Sequence, residues 1–141
     1  MTIEENVKKV IAVVCENYGI KSQQMKTNAG KPYPEARAMV YYIVKKVLDI
    51  QINNRDLDNI VRNKLDNSTV SGNVIKFTNN ITINNKLRAR LENVMSIYWN
   101  NEVSLSKSIR TKLSYLIQMN DIDVIKNEIG VIISKINTNT I

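Results

Sequence analysis

The polar residues with the clearest chemical potential lie in one short segment, residues 64–76, which reads KLDNSTVSGNVIK. Asparagine can pair with adenine through two hydrogen bonds, and serine and threonine hydroxyls bond to bases or phosphates. Lysine and arginine bind phosphates. These residue types predict contact with a nucleic acid rather than a chemical reaction. The candidate contact residues are Arg62, Lys64, Asp66, Asn67, Ser68, Thr69, Ser71, Asn73 and Lys76.

A second interpretation of the same residues is structural. Asp, Asn, Ser and Thr are also the preferred residues at the start of a helix, because their side chains accept hydrogen bonds from free backbone N–H groups. A string of all four before an apolar run is therefore typical of a capped helix. The residues alone leave both interpretations open.

Two absences exclude most catalytic chemistry. The chain contains no histidine and one cysteine, Cys15. Histidine-dependent nucleophilic catalysis, histidine-ligated metals, cysteine-based zinc sites and intrachain disulfides are therefore excluded. Cys15 lies on an apolar stripe, which favours a place in the core. No GxxxxGK[ST] phosphate loop occurs either. We expect no catalytic residue, no metal and no cofactor, so the chain is not predicted to be an enzyme.

Length and charge favour a small protein with a polyanionic partner. The chain has 141 residues, 43% of them hydrophobic, and a net charge of +7. This length suits one compact domain or a small domain with an extension. A basic balance favours nucleic acid. No run of 18 apolar residues occurs, so we expect no membrane span.

The spacing of apolar residues predicts an all-α fold. They recur every three or four residues along almost the whole chain. Two of the predicted helices are joined by a tight turn, which we place at Lys64–Asn67. Ser68 is then expected to cap a helix that continues to about Asn79. This pair has helix-turn-helix proportions, in which the second helix lies in the major groove. The residues expected to be buried on the second helix are Val70, Val74 and Phe77.

Three segments carry a resemblance to a known family. Val14–Ile20 read VCENYGI, Pro34–Met39 read PEARAM, and Lys64–Val70 read KLDNSTV. Together, over about residues 1–80, they resemble the C-terminal DNA-binding domain of the bacterial replication initiator DnaA. The family shows a Val-Cys-x-x-Tyr-Gly-Ile pattern, a helix that begins Pro-Arg-Gln-x-Ala-Met, and a Gly-Arg-Asp-His-Ser/Thr-Thr-Val signature. This chain departs from that signature at Leu65, where the family has Arg, and at Asn67, where it has His.

The resemblance implies a Trp-repressor-like helix-turn-helix bundle and a recognition helix in the major groove. It also implies a basic loop in the minor groove, with contacts from Lys26 and Lys31. The residues closest to the bases would be Asp66, Asn67, Ser68 and Thr69.

The rest of the chain predicts a helical extension. The polar tract TNNITINN at residues 78–85 is the expected boundary. We therefore predict a helix-turn-helix domain over residues 1–80 and a helical extension over residues 81–141. The extension either packs on the first domain or forms an oligomer interface, since isoleucines cluster in residues 122–136.

Two functions remain open. The first is a non-enzymatic protein that binds duplex DNA. The second is a structural subunit of a phage virion, connector or ring that reuses the same helical fold. Asn and Ile occur 20 times each, and both have AT-rich codons, which favours a bacterial or phage origin. The expected location is the cytoplasm, or the virion for the second function.

Overall fold

The computed structural model describes residues 2–104, and all regular structure in that range is helical. The all-α prediction is confirmed for this part of the chain. None of its helices has both the length and the apolar character needed to cross a bilayer. The helices are α1 (Ile3–Tyr18), α2 (Ser22–Thr27), α3 (Tyr33–Tyr42), α4 (Asn54–Arg62), α5 (Asn67–Ile83) and α6 (Asn85–Ser104), and a π-helical turn at Ile43–Val47 continues α3.

The chain forms two units, and the described structure lies almost entirely in the first, Thr2–Tyr98. The predicted division between residues 80 and 81 falls inside α5, and the compact unit continues beyond it because α6 contributes buried Leu87, Leu91 and Val94 to the core. In the second unit, residues 99–104 are helical. Residues 105–141, with the isoleucine cluster at 122–136, lie outside the described residues.

The core of the first unit is built from one apolar face of each helix. Helix α5 packs mainly against α3 and α4, and α1 and α2 each pack against α3 and α4 as well. Val70, Val74 and Phe77 are buried, as the spacing predicts, and the Phe77 ring lies 4.9 Å from that of Tyr42. This packing fixes one face of α5 and leaves the other exposed. The largest fully buried side chains include Tyr41, Phe77, Met25, Met39, Ile43 and Leu57.

The start of α5 differs from the prediction. Asp66, not Ser68, is the capping residue, and the helix begins at Asn67 and continues to Ile83. The Asp66 carboxylate accepts hydrogen bonds from the backbone N–H groups of both Ser68 and Thr69. A cap at Ser68 would leave these two N–H groups without that acceptor. The tract at residues 78–85 is helical apart from Asn84, because Asn84 ends α5 and its side chain accepts from the Leu87 N–H of α6.

Candidate nucleic-acid interface

A four-residue connection, residues 63–66, joins α4 to α5. Asn63 ends α4 in the left-handed conformation, with φ 59°, and its N–H bonds to the Asn59 carbonyl. Asparagine tolerates this conformation better than most residues. Lys64 and Leu65 follow and are exposed, and Leu65 exposes 58% of its surface. The connection therefore presents its side chains outward.

The buried carboxylate of Asp58 holds this connection in place. Asp58 is fully buried and accepts hydrogen bonds from the Tyr41 hydroxyl (2.7 Å) and the Asp66 N–H (3.0 Å). The Arg62 guanidinium donates to both its oxygens, at 2.7 and 2.9 Å. Burial alone would raise the pKa of Asp58, but the bonds from Arg62, Tyr41 and Asp66 outweigh it and hold the pKa below its ordinary value. One ionised group thus ties α3, α4 and the start of α5 together.

Arg62 donates to Asp58 through Nε and Nη2, and these hydrogen bonds raise the pKa of Arg62. The phosphate contact of Arg62 stays a prediction, and the residue lines the same cleft as Lys64. The sequence patterns do not single out Asp58. The signal that could have found this residue is its position beside Leu57 and four residues before Arg62, on the buried face of α4.

Asp66 is a capping residue whose carboxylate is saturated. One oxygen accepts from the Ser68 N–H (3.0 Å), the Ser68 hydroxyl (2.7 Å) and the Thr69 N–H (3.2 Å). The other accepts from the Thr69 hydroxyl at 2.6 Å. The hydrogen bonds from Thr69 and Ser68 lower the pKa of Asp66 to about 2, so it is ionised at neutral pH. The carboxylate is thus used within the protein.

The capping bonds also define what Ser68 and Thr69 can bind. Each hydroxyl proton is donated to Asp66, so each oxygen offers only lone pairs to a partner. A phosphate, which is itself an acceptor, is then a poor partner for either hydroxyl. The exocyclic amino groups of adenine and cytosine, which are donors in the major groove, are matched to them.

The remaining polar residues of α5 differ in their availability. Asn67 is exposed, and its side chain makes no hydrogen bond to the rest of residues 2–104. The Ser71 hydroxyl oxygen accepts from the Asn54 amide at 2.9 Å, which leaves its proton free to be donated. Asn73 is partly buried, and its amide donates to the Thr69 carbonyl at 2.8 Å. Asn67 and Ser71 lie one turn apart on the same face.

Two basic residues flank the connection from different elements. Lys26, at the end of α2, and Lys64 line one cleft of about 500 Å³ together with Arg62. The Arg37 guanidinium fixes the end of α2 because it donates to the Met25 carbonyl (2.8 Å) and the Asn28 carbonyl (2.9 Å). The other residues that line the cleft are Gln23, Thr27 and Asn63.

The other two lysines lie elsewhere. Lys76 borders a separate depression on α5, beside Ser68 and Gly72. Lys31 lines a third depression with Pro32 and Pro34, so the structure does not place it in the cleft with Lys26. Within residues 2–104, Lys26, Lys64 and Lys76 are exposed and make no ion pair or side-chain hydrogen bond.

Cys15 is buried, and burial raises the pKa of its thiol to about 11, which keeps it protonated. No three acidic or cysteine side chains within residues 2–104 cluster closely enough to hold a metal ion.

Comparison with known proteins leaves the site to be interpreted from its own geometry. No protein-family model, no curated protein and no solved structure matches this chain. The resemblance to the DNA-binding domain of DnaA stays a prediction from the sequence motifs.

Proposed function

We propose that this chain is a non-enzymatic protein that binds duplex DNA, with α4 and α5 acting as a helix-turn-helix of the DnaA C-terminal type. The observation that carries the proposal is the exposed start of α5, which is flanked by lysines that have no side-chain partner within residues 2–104. Asn67 and Ser68 at this end are exposed, and Lys26 and Lys64 line the adjoining cleft.

Charge supports a duplex as the partner. Duplex DNA carries one negative charge per about 1.7 Å of its axis, and lysine contacts release condensed counterions. An exposed lysine without an internal ion pair loses nothing within the protein when it binds a phosphate. As far as residues 2–104 show, Lys26 and Lys64 near the connection and Lys76 farther along α5 meet this condition.

Shape and hydrogen bonding support entry into the major groove. The groove is about 12 Å wide and admits one helix. The first turn of α5 is exposed at Asn67 and Ser68, and the amide of Asn67 makes no hydrogen bond to the rest of residues 2–104. Asn67 is suited to a two-bond contact with adenine, since its side chain has both a donor and an acceptor to offer.

Binding to a 24-base-pair duplex across a salt series tests this function. About five phosphate contacts predict that log affinity falls against log salt with a slope of about −4 to −5. Fluorescence anisotropy between 50 and 300 mM salt measures it. Absence of binding at 50 mM salt, or an affinity that salt does not change, would contradict the proposal.

A second candidate, a structural subunit of a phage virion, connector or ring, is supported by exposed apolar side chains. Leu65 exposes 58% and Ile83 exposes 81% of its surface. A subunit contact would bury such groups. Sedimentation analysis distinguishes the candidates: a concentration-dependent ring or higher assembly that does not bind the duplex favours the subunit, and a monomer or dimer that binds it favours the DNA-binding protein.

A further inference from the structure

Gly72 is a glycine that the fold itself does not require. It lies in the second turn of α5, where glycine is less favourable than alanine because it loses more backbone freedom on folding. A Cβ atom built at Gly72 would meet no heavy atom of residues 2–104 within 4 Å apart from its chain neighbours and the backbone of α5 itself. The backbone of Gly72 is helical, unlike that of Gly19 with φ 67°. Internal packing and backbone conformation therefore both permit a side chain here.

The surface around Gly72 is a shallow depression with a defined chemical character. Its volume is about 340 Å³, and it is lined by Ser68, Thr69, Asn73 and Lys76 as well as Gly72. Ile75, three residues further along the same helix, exposes 62% of its surface. A bare stretch of helix backbone thus lies between an apolar side chain and two hydroxyl oxygens that can only accept hydrogen bonds.

We propose, resting on the DNA-binding function above, that Gly72 is where the C5-methyl group of a thymine meets α5 in the major groove. In the major groove, this methyl is the apolar group that marks the thymine of an A·T pair. The missing side chain lets the helix backbone approach the groove floor closely. Ile75 packs beside the methyl, and the Ser68 and Thr69 oxygens face the amino group of adenine, which every A·T pair also presents.

The test compares two alternating 24-base-pair duplexes, dA–dT and dA–dU, which differ only in the thymine methyl. The wild-type protein is expected to bind the dA–dT duplex about fourfold more tightly, the factor for burial of one methyl group. Gly72→Ala places a methyl on the helix where the thymine methyl would lie. This variant is expected to bind dA–dT about tenfold more weakly than wild type and to lose the preference for dT over dU.

The same variant carries its own folding control. Alanine in a helix is more favourable than glycine, so Gly72→Ala is expected to raise the melting temperature by about 3–6 °C. If the variant is more stable but binds DNA more weakly, the weaker binding reflects a lost contact with DNA and not damage to the fold. Asn80→Ala, at an exposed position two turns further along α5, is the matched substitution and is expected to keep the wild-type preference.

Each outcome decides the inference. Equal binding of dA–dT and dA–dU by wild type, or an unchanged preference in Gly72→Ala, overturns the thymine contact while the DNA-binding function stands. Absence of binding to both duplexes at 50 mM salt overturns the DNA-binding function itself, and this inference with it.

Discussion

Asp58→Ala is expected to lower the free energy of unfolding by about 3 kcal/mol, the lower end of the range for breaking a buried ion pair by removal of one partner. The substitution leaves the buried Tyr41 hydroxyl and the Asp66 N–H without their acceptor, and it leaves the Arg62 guanidinium without its counter-charge. The lower end of this free-energy range applies because the Arg62 side chain is 24% exposed, so water can solvate its charge. Chemical denaturation measures the change.

The neighbouring aspartate is the matched control. Asp56 lies on the same helix but is exposed, and among residues 2–104 its carboxylate accepts only from the Asn53 amide, at 2.8 Å. Asp56→Ala is therefore expected to cost less than about 1 kcal/mol. Asp58→Asn keeps the size of the side chain and loses the charge, so it should fall between the two. Equal effects at positions 56 and 58 would show that Asp58 does not organise the connection.

Replacing Lys26, Lys64 and Lys76 together with glutamine is expected to weaken duplex binding by about 100-fold. This follows from about 1 kcal/mol for each exposed lysine–phosphate pair, at the upper end of the range for surface pairs. Loss of three phosphate contacts should also flatten the salt slope by about 2.7, since each contributes about 0.9. Anisotropy titrations with the same 24-base-pair duplex measure both quantities.

A second triple variant separates local contacts from total charge. Lys8, Lys9 and Lys86 lie on α1 and α6, and replacing them with glutamine changes the net charge by the same amount. We expect this variant to keep most of the affinity and nearly the whole salt slope. If both triple variants lose affinity equally, net charge rather than the surface around α5 governs binding.

The helices were predictable from the sequence because burial of one face imposes a spacing that the residues display. Val70, Val74 and Phe77 lie three or four residues apart, and all three are buried. The capping residue was harder to predict, because Asp66, Asn67 and Ser68 are all competent to cap a helix. The choice depends on the path of the connection, which the bond from the Asp66 N–H to Asp58 fixes.

The candidate site was only partly predictable, for a related reason. The sequence identifies residues that can bind DNA, but not which of them are occupied within the protein. Arg62 and Asp66 are engaged internally, whereas Asn67 and Lys64 are exposed and unbonded within residues 2–104. An Asp and an Arg four residues apart on a helix commonly form an exposed pair. Asp58 is instead fully buried and accepts a hydrogen bond from the Tyr41 hydroxyl of α3.

The role of single exposed residues could not be inferred from spacing at all. Gly72, which is partly buried, has no side chain to add to a periodic pattern, and its proposed role depends on the space that the structure leaves beside it. Lys31 and Lys26 are both basic residues near one loop, but only Lys26 lines the cleft with Lys64. The path of the loop between Lys26 and Lys31 determines which of the two lysines lies in the cleft.

Mapping of backbone amide shifts by NMR locates the DNA-binding surface residue by residue. The ¹⁵N-labelled 141-residue chain would be titrated with the alternating 24-base-pair dA–dT duplex at 50 mM salt. We expect the largest shift changes on residues 63–76, with a second group at the end of α2 near Lys26. Changes confined to α1 and α6, or a saturated complex in which residues 63–76 do not respond, would contradict this expectation.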